Sequence, residues 1–595
     1  MAQQSNNASF IYKSDRPWPN PRMKRGLIIG HATPSSARIW LRLGEPGCYS
    51  LLLWPAGRTA ELEAATAPLK QVPWAPANAS PEALANPSLP DFVQRHDLEL
   101  KGWQNDTVRV VDCEGLNPDS SPNSGPNSDP NNSWACALLL RDAAMPRLVL
   151  GQDKPIRFNT PPADSAAPFS FGFFSCHMPY ATNWHGETET ENMDLWDYFY
   201  QSLEQRGDTR FVIGGGDQVY SDGVKTLNIW KMLDRELHEG RVPEAADMLS
   251  WYYDIYRGYW GFPRVQRVFR RWPVYMTCDD HEIGDGWGSF RFDKGELDEV
   301  LPKAVASGRY SDDELLKIIQ RMGLAGFSAY QTYQHSHNPD SEEGVFDYPF
   351  QQGAAAFYML DSRSQRDIGR KSFSISGKAQ LDRLARWAEG LDREQTPFVF
   401  VLAAVPILHM RNAIVASADG AIADALDLQD DLRDSWENAA HDEERRAVLD
   451  ILFGLAGRGF KLCILSGDVH VSAIFRMTRP QAGTIYQLTS SAITYPKNFW
   501  QKHLLRLAAT HEGEVAGDNY RYERLGLYTD NNYAIVCVQP DRERVLFELY
   551  GRQTGFFASQ EAPPGPAGRG GRKGPAALTQ EPVNHPITRQ ILRFD

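Results

Sequence analysis

Four short stretches decide the fold prediction: FSFGFFSCHMPY (169–180), RFVIGGGDQVYSD (210–222), WPVYMTCDDHEIGDGWG (272–288) and KLCILSGDVHVS (461–472). Each starts with an apolar run that is typical of a buried strand, and each ends in glycines, acidic residues or a histidine. One glycine–aspartate pair after a strand often forms only a turn, but four such strand ends in one chain are harder to explain as turns. Carboxylates rarely follow buried strands unless they are paired, hydrogen-bonded or bound to metal.

Further segments extend the same pattern. The runs AAAFYMLDSR (354–363) and FVFVLAAVP (398–406) are also typical of buried strands. Amphipathic segments at 192–207 and 377–391 predict helices, the second with Ser376 as its N-cap. Strands that alternate with helices favour an α/β fold, in which ligands collect where strands end and loops begin.

The first part of the chain has a different composition. We expect residues 25–162 to form an immunoglobulin-like β-sandwich, built from short strand-like runs such as LEAATAPL (62–69). An Asn-, Pro- and Ser-rich loop at 114–133 is expected to be disordered, because it contains too little apolar surface to order itself. Residues 1–24 form a polar N-terminal extension.

The remainder of the chain is expected to hold the chemistry. We expect residues 168–553 to form the catalytic domain, with helical, aromatic-rich insertions at about 225–270 and 290–345 that roof its cleft. The Pro/Gly-rich tail at 557–595 is expected to be disordered.

The composition excludes some classes of function. With 62 Lys and Arg residues against 75 Asp and Glu residues, the formal net charge is −13. An acidic chain does not indicate a nucleic-acid tract, because phosphate backbones bind basic surfaces. We expect no secretory signal and no membrane span, and therefore a cytoplasmic location. Seven scattered cysteines without a CxxC pair predict free thiols rather than a disulfide framework.

The residues at the four strand ends form a set that can hold metal ions. They are Cys176, His177, Asp217, Tyr220, Asp222, Asp279, Asp280, His281, Glu282, Asp285, Asp468 and His470. Phosphoester hydrolysis uses such sets, because two cations about 3.5–4 Å apart neutralise the phosphoryl oxygens and lower the pKa of bound water. A carboxylate can bridge the cations, and a histidine can protonate the leaving oxygen.

The order of these blocks resembles the PhoD-like (alkaline phosphatase D) family of calcineurin-like metallophosphoesterases. SCH, GDQVY, DDHE and GDVH stand in this chain where that family has a strand-end SC, GDxxY, DDHE and GDVH. LDSRS (360–364), DSW (434–436) and GHATPSSARIWLR (30–42) are also similar to the family's sequences. The resemblance covers roughly residues 25–550. It implies an α/β core of two packed, mostly mixed β-sheets flanked by helices.

The resemblance also implies metal ligands. Cys176 and Tyr220 would be thiolate and phenolate ligands of a ferric ion. Asp217 would bridge both metals and so take part in catalysis.

Two of the remaining implied ligands, Asp280 and Asp468, differ from those of the wider superfamily. Asp280, Asp468 and His470 would complete the metal sites, and His281 would be the catalytic histidine. An aspartate in place of a histidine ligand favours an oxygen-preferring cation. Fe³⁺ and Ca²⁺ are therefore expected, with Mn²⁺ or Zn²⁺ as alternatives.

Three residues are predicted to meet the substrate, and two of them have an alternative role. Arg363 either binds phosphate through its planar fork or forms half of a buried ion pair. His177 either contacts the phosphate or caps a turn, and Asp285 is expected to substitute for asparagines that the family often has after DDHE. We expect Asp279 to lie behind the ligands, and Glu282 to be structural and paired with an arginine.

The leading functional hypothesis is hydrolysis of a small phosphomonoester or phosphodiester by a metal-held hydroxide. The alternative is a catalytically weak relative that binds a phosphoester or a partner. A third hypothesis, with Cys176 as nucleophile and His177 as its base, is disfavoured because adjacent strand residues point to opposite faces. The sequence leaves the oligomeric state open.

Overall fold

The computed structural model describes most of the chain. The described residues are 20–65, 89–116, 132–141, 147–152, 154–164, 166–182, 188–190, 193–223, 228–289, 296–366, 374–409, 433–496, 509–515, 519–552, 557–559 and 586–594.

Twenty-five strands lie in these ranges. They are β1 (Gly26–Thr33), β2 (Ser36–Arg42), β3 (Gly47–Pro55), β4 (Gln94–Leu100), β5 (Val108–Cys113), β6 (Ser133–Leu140), β7 (Arg147–Leu150), β8 (Ile156–Asn159), β9 (Phe169–Phe174), β10 (Tyr180–Thr182), β11 (Thr188–Thr190), β12 (Thr209–Gly214), β13 (Val274–Met276), β14 (Tyr348–Gln352), β15 (Ala355–Met359), β16 (Phe398–Leu402), β17 (Lys461–Ser466), β18 (Ser472–Arg479), β19 (Gly483–Thr489), β20 (Glu512–Val515), β21 (Tyr520–Tyr528), β22 (Asn532–Gln539), β23 (Arg544–Gly551), β24 (Phe557–Ser559) and β25 (Thr588–Leu592).

The α-helices in the same ranges are α1 (Thr59–Ala65), α2 (Asp194–Arg206), α3 (Ile229–His238), α4 (Ala245–Tyr259), α5 (Pro263–Phe269), α6 (Leu297–Val300), α7 (Pro302–Ala306), α8 (Asp312–Tyr333), α9 (Gly377–Gly390) and α10 (Asp442–Gly457). A short 3-10 helix covers Asp280–Glu282. Another covers Gln104–Thr107. The predicted helices at 192–207 and 377–391 are confirmed as α2 and α9.

Two antiparallel sheets share one apolar core in the N-terminal part. Their strand orders are β1-β2-β5 and β4-β3-β6-β7, with β8 beside β6. Buried side chains of both sheets, such as Ile39 and Leu138, belong to the same cluster. The segment TPSS (33–36) joins β1 to β2, with Thr33 opposite Ser36. The segment 117–131, most of the loop predicted to be disordered, lies outside the described residues.

One predicted strand in this part is wrong. LEAATAPL was expected to be a strand, but its first four residues belong to α1 (Thr59–Ala65). Alanine, leucine and glutamate are good helix formers, and this local preference prevails over the apolar pattern. The rest of that run lies outside the described residues.

The part of the chain from residue 168 onward contains two mixed sheets that face each other. Their strand orders are β13-β12-β9-β22-β23-β25 and β14-β15-β16-β17-β19-β18-β21-β20, with β24 beside β21. Phe171 in β9 meets Phe357 and Phe400 of the other sheet, with ring centroids 5.5 and 5.3 Å apart. Strands β9, β12 and β13 run parallel, so their carboxyl ends lie at one edge of the first sheet. All six strand predictions in this part are confirmed.

The predicted N-cap of α9 is not made by the expected side chain. Ser376 precedes the helix, but its hydroxyl accepts no capping hydrogen bond, and its own φ of −101° and ψ of −27° are already helical. Instead, the carboxylate of Glu444 accepts from the backbone amides of Ile375 and Gly377 at 2.6 and 3.0 Å. A carboxylate suits this position because the helix N-terminus carries partial positive charge.

The two predicted insertions are helical, and a helix from each contacts the segment 279–289. Tyr252 in α4 donates a hydrogen bond to the carbonyl of Ile283 at 2.5 Å. Trp287 lies directly against Gly323 of α8, where an added Cβ would come within 2.2 Å of the indole. These two helices therefore support the DDHE segment, and a roof over the cleft stays a prediction.

Parts of the two terminal segments, which were expected to be a disordered tail and an extension, belong to the fold. Strand β24 pairs with β21, and β25 pairs with β23 as the last strand of its sheet. Leu592 is buried in the core between the sheets. The sequence did not reveal β25 because it is five residues long and follows a Pro/Gly-rich segment, of which 560–585 lie outside the described residues. Residues 20–24, predicted as extension, pack on α4 through a hydrogen bond from Met23 to Arg257.

Across the described ranges, no helix is both long and apolar enough to cross a membrane.

A buried carboxylate joins the N-terminal sheets to the helices. Asp106, in the 3-10 helix before β5, accepts two hydrogen bonds from Arg42 of β2, both at 2.9 Å. It also accepts from Arg257 of α4 at 2.5 Å and from the hydroxyl of Tyr333 of α8. One carboxylate therefore ties two arginines and a tyrosine from three elements together.

Replacing Asp106 with alanine should lower the unfolding temperature markedly, because two guanidinium groups would lose their shared partner. Removing one member of a buried ion pair costs about 3–5 kcal/mol. Asp112→Asn is the matched control: Asp112 also pairs with an arginine, at 2.7 Å, but its side chain is 54% exposed. Exposed pairs contribute about 0–1 kcal/mol. Equal unfolding temperatures for the two variants, measured by circular dichroism, would contradict this role.

Candidate metal centre and active site

The four strand ends predicted from the sequence meet at one place between the two sheets. The amide of Cys176, after β9, donates to the carbonyl of Gly216 after β12 at 3.1 Å. The amide of Thr277, after β13, donates to the carbonyl of Gly214 at 3.2 Å. The segment after β17 reaches the same point from the other sheet, because Gly467 lies against Ser175.

Two glycines permit this close approach. An added Cβ on Gly467 would lie 2.6 Å from the Cβ of Ser175. An added Cβ on Gly216 would lie 2.8 Å from the Cβ of Asp279, and Gly216 has a φ of +106°. Any larger residue at either position would separate backbone segments that carry candidate ligands.

Four of the predicted ligands adopt left-handed backbone conformations. The φ angles are 54° at Cys176, 57° at Asp217, 62° at Asp468 and 55° at His470. Positive φ is uncommon for residues other than glycine, and residues in this region persist only where the surrounding structure holds them there. Each strand end therefore turns sharply at the residue that carries the functional side chain.

The first group of candidate ligands surrounds one carboxylate oxygen. Oδ2 of Asp217 lies 3.3 Å from Sγ of Cys176 and 3.3 Å from the hydroxyl oxygen of Tyr220. That hydroxyl lies 3.0 Å from Nε2 of His470. Cys176, Asp217 and His470 could hold one metal ion, since their ligand atoms lie within 4.8 Å of one another.

The second group consists of carboxylates. Asp217, Asp279, Asp280 and Asp468 each offer an oxygen within 4.8 Å of the others. Asp217 belongs to both groups, which is the arrangement that a bridging carboxylate requires. Asp279 was expected to lie behind the ligands, and the structure brings it within reach of the second group as well.

This arrangement of donors fits bound cations. Oδ1 of Asp217 and Oδ2 of Asp279 are buried without a hydrogen-bond partner. Burial, and then the neighbouring carboxylates, raise the pKa of Asp468 well above its ordinary value. Burial also raises the pKa of Asp217. Cations between these oxygens would remove both the repulsion and the unsatisfied valences.

Glu282 organises the loops rather than pairing with an arginine. Oε2 accepts hydrogen bonds from the amides of Asp217 at 3.1 Å and Asp279 at 2.8 Å. Oε1 accepts from the amide of Gln218 at 2.7 Å and from the side chain of Gln334 at 2.9 Å. The expectation of a structural role is met, but the arginine partner was wrong, because backbone donors from two strand ends reach the carboxylate first.

Arg363 contacts the carboxylates of the second group and is completely buried. Its Nε donates to Asp279 at 2.5 Å, and its Nη2 lies 3.4 Å from Asp280. Its Nη1 and Nη2 also donate to Asp434 at 2.9 and 2.6 Å, and Nη1 donates to the carbonyl of Trp287 at 3.2 Å. Protein carboxylates and a carbonyl thus engage the guanidinium, which favours the buried ion pair over phosphate binding.

Asp434 is the counterpart of this arginine. Although burial acts in the opposite direction, Arg363 and then Arg366 hold the pKa of Asp434 below its ordinary value. Ser289 donates a further hydrogen bond to it at 3.1 Å. The DSW motif therefore supplies the anion that keeps Arg363 in position.

His177 is part of the core and does not face the carboxylates, so the prediction of substrate contact is wrong. Nδ1 accepts hydrogen bonds from the indole of Trp196 at 3.2 Å and from Thr494 at 2.8 Å. Nε2 faces the carbonyl of Tyr259 at 3.3 Å and therefore carries the proton. Burial lowers the pKa of His177 to about 3. Because Cys176 faces Asp217 while His177 faces Trp196, the two do not form a nucleophile–base pair.

His281 has a carboxylate partner that the sequence did not assign. Both oxygens of Asp222 lie 2.9 Å from Nδ1 of His281, and the ring stacks on Tyr220 with centroids 3.9 Å apart. Burial opposes protonation, but Asp222, then Asp280 and Asp217, raise the pKa of His281 well above its ordinary value. The imidazole is thus held in one orientation.

A cavity of about 410 Å³ opens beside His281. Its polar lining is formed by Tyr220, Asp222, His281 and Asp285. Its other lining residues are Met178, Tyr180, Ala181, Gly223, Tyr495 and Pro496. Asp285, predicted to contact substrate, is thus present in the cavity and is exposed. Among the described residues that line it, none comes from the helical insertions.

Sequence reasoning missed two residues that follow β19. Tyr495 stacks on His470, with ring centroids 3.6 Å apart, and lines the cavity. Ser491 donates a hydrogen bond to the sulfur of Cys176 at 2.9 Å. The run GTIYQLTSSAITY (483–495) is also a strand followed by a loop. It carries no acidic or histidine residue, so nothing in its composition indicated the site.

Comparisons with known proteins show the family of this chain and a similar fold. A family model described as PhoD-like phosphatase matches residues 171–544, more than half of the chain. A solved structure titled "Structure of PhoD" is 14% identical with a TM-score of 0.53, and the match covers 90% of this chain and 88% of that chain. This indicates a similar fold. A purple acid phosphatase from yellow lupin (Lupinus luteus) seeds is 12% identical with a TM-score of 0.47, over 91% of this chain and 75% of that chain.

An uncharacterized protein of Saccharomyces cerevisiae is 22% identical over 325 residues. The match covers 44% of this chain and 45% of the yeast protein, so it spans less than half of that relative. The family model covers all four strand ends, from β9 to the segment after β17. The chain belongs to the PhoD-like phosphatase family.

Proposed function

We propose that this protein hydrolyses small phosphate esters with the aid of two metal ions held by the carboxylates at the strand ends. The observation that carries the proposal is the shared carboxylate of Asp217. It belongs both to a group with a thiol and an imidazole and to a group of carboxylates. A histidine with a carboxylate partner lines a cavity next to both groups. Membership of a phosphatase family supports the same chemistry.

The donor types support particular ions. Cys176 and Tyr220, beside His470, would hold Fe³⁺, since thiolate and phenolate favour ferric iron. Asp280 and Asp468, with Asp217, would hold Ca²⁺, because a set of carboxylates favours an oxygen-preferring cation. Mn²⁺ and Zn²⁺ are the alternatives. When bound, such ions neutralise the phosphoryl oxygens and lower the pKa of water.

The chain's own groups would then orient the ester and move a proton. Asp222 engages Nδ1 of His281, so Nε2 is the nitrogen that can donate its proton to the leaving oxygen. Tyr220 packs on one face of the imidazole and limits its rotation. Arg363 and Glu282 act through the carboxylates and loops that they hold and do not meet the substrate.

The proposal extends to the architecture. The pair of facing mixed sheets at 168–553 would be a calcineurin-like core, continued by β24 and β25. The N-terminal pair of sheets, within 25–162, would be an immunoglobulin-like β-sandwich that flanks it, as their common apolar core supports. A cytoplasmic location stays a prediction from the sequence.

Metal removal tests the function directly. The purified protein should hydrolyse an aryl phosphate monoester or diester, lose this activity after chelation, and regain it when iron and calcium are added together. Colorimetric release of the phenol measures the rate, and the preferred ester identifies the class of substrate. Metal retention without turnover of either ester would favour the binding-module alternative.

Asp217→Asn should abolish hydrolysis and lower the metal content, because an amide cannot bridge two cations with two anionic oxygens. The metal-free variant should be at least as stable as the metal-free wild type, since burial raises the pKa of Asp217 and the substitution removes that buried charge. Elemental analysis and thermal unfolding measure these two effects, with Asp112→Asn as the surface control. Unchanged turnover would show that Asp217 is not the shared ligand.

The iron-loaded protein should be coloured, because thiolate and phenolate ligands both give charge-transfer absorption with ferric iron. Tyr220→Phe should shift or remove one visible band, while Cys176→Ser should remove another. Absorption spectra of equally iron-loaded samples make the comparison independent of activity. A colourless, iron-loaded wild type would rule out this pair of ligands.

A further inference from the structure

Ser491 lies between two candidate ligands of the first group, Cys176 and His470. Its hydroxyl oxygen is buried, 2.9 Å from Sγ of Cys176 and 3.2 Å from the backbone nitrogen of His470. Cys176 follows β9 in one sheet and His470 follows β17 in the other. One serine hydroxyl therefore connects the two sheets at the candidate metal centre.

The chemistry of the two partners fixes the direction of these hydrogen bonds. The amide of His470, which also donates to the carbonyl of Asp468 at 2.7 Å, can only donate, so the oxygen of Ser491 accepts from it. A hydroxyl has a single proton, and the acceptor for that proton is the sulfur of Cys176. A thiolate can only accept, so Ser491 is the donor whenever Cys176 is deprotonated.

A second hydroxyl contacts the same sulfur but directs its proton elsewhere. Oγ of Ser175 lies 3.3 Å from Sγ of Cys176 and donates to the carbonyl of Ser490 at 3.1 Å. Because that hydrogen bond uses the only proton of the hydroxyl, Ser175 has none to direct at a thiolate. Ser175 and Ser491 thus form a matched pair, in which both touch the sulfur and one donates to it.

The loop that carries Ser491 is held in place by Asn532 at the start of β22. The side-chain amide of Asn532 donates to the carbonyl of Ser491 at 2.7 Å, and its Oδ1 accepts from the hydroxyl of Ser490 at 2.8 Å. The backbone amide of Asn532 donates to the carbonyl of Ala492 at 2.8 Å. The hydroxyl of Ser491 is therefore positioned by the protein and does not depend on a ligand for its orientation.

A hydrogen bond to the sulfur changes what a thiolate supplies to a metal ion. Cys176 is completely buried, and its sulfur lies 3.3 Å from Oδ2 of Asp217, so a negative charge there has little water and a carboxylate beside it. A donor to the sulfur stabilises this charge and decreases the electron density that the sulfur gives to iron, which raises the reduction potential of the ion. Partners that orient metal ligands typically contribute about 10- to 100-fold to metal affinity.

We propose that Ser491 is a positioning residue of the metal centre, whose hydroxyl orients the Cys176 thiolate and sets how strongly the sulfur donates to the ferric ion. The inference rests on the proposed metal-dependent hydrolysis and adds a residue that acts through a ligand without meeting the substrate. The candidate ligands follow β9, β12, β13 and β17, and Ser491 follows β19. A fifth strand end thus belongs to the centre.

Spectroscopy of the iron-loaded, full-length protein tests the proposal without measuring turnover. Ser491→Ala should shift the visible band that Cys176→Ser removes, lower the reduction potential of the iron, and weaken iron binding by about tenfold or more. Ser175→Ala is the matched control, because it removes a hydroxyl that contacts the same sulfur but does not donate to it. This control should leave the band, the potential and the affinity near those of the wild type.

A second measurement needs no substitution at Ser491 and so does not depend on the folding of that variant. Resonance Raman spectra excited in the thiolate band report the iron–sulfur stretch. The stretch should differ between wild-type protein loaded with iron in ordinary and in deuterated water, because the proton that Ser491 shares with the sulfur is exchanged. The difference should persist in Ser175→Ala. Identical stretches in the two solvents would overturn the inference.

The outcomes separate this role from the function. Hydrolysis by the wild type, together with an unchanged band and potential in Ser491→Ala, would overturn the role of Ser491 and leave the phosphoesterase intact. The expected shifts in a protein that hydrolyses neither aryl ester would support the role and contradict the proposed function. An iron-loaded wild type without a band that depends on Cys176 would also overturn the inference, because the sulfur would then not be a ligand.

Discussion

The mutual repulsion of four clustered carboxylates, three of them buried and one partly buried, is the constraint on which the rest of this structure depends. Asp217, Asp279, Asp280 and Asp468 meet within 4.8 Å of one another. Isolated charges are rarely buried at such density, because desolvation and like-charge repulsion both oppose it. Arg363 offsets part of this repulsion from below. The remaining unsatisfied oxygens point to cations as the missing partners.

Hydrogen bonds and packing around the cluster hold the segments that carry these carboxylates. Glu282 connects two strand ends through backbone amides, and Asp434 holds Arg363 from the other side. Helices α4 and α8 contact the DDHE segment. The left-handed conformations at the candidate ligand positions persist because the surrounding contacts, and not the local chain, determine the backbone there. The insertions therefore help to position the segment that carries candidate metal ligands.

The side chains around the cavity are held by contacts within the protein. Asp222 engages Nδ1 of His281 on one side, and on the other side Tyr180 is hydrogen-bonded to Asn20 and Tyr495 packs on the ring of His470. The lining of the cavity is therefore fixed by the same loops that carry the candidate metal ligands.

The sequence by itself determined six strands of the core and the identity of the residues at four strand ends. This was possible because each strand and its functional residue are neighbours in the chain, and because apolar runs that end in glycine and aspartate have few other structural uses. The amphipathic helices α2 and α9 were predictable for the same local reason.

Only the tertiary structure decided what the distant side chains face. Arg363 meets Asp279 across 84 positions of sequence, and Ser491 meets Cys176 across 315, so no local pattern could pair them. Whether Arg363 would meet a phosphate or a carboxylate, and whether His177 would face the site or the core, depended on which face of each segment the packing buried. Tyr495 has no chemical signature in the sequence and joins the site only because β19 lies beside β17. Side-chain direction is set by the summed contacts of the whole core, which is why the ligands could be predicted locally and their partners could not.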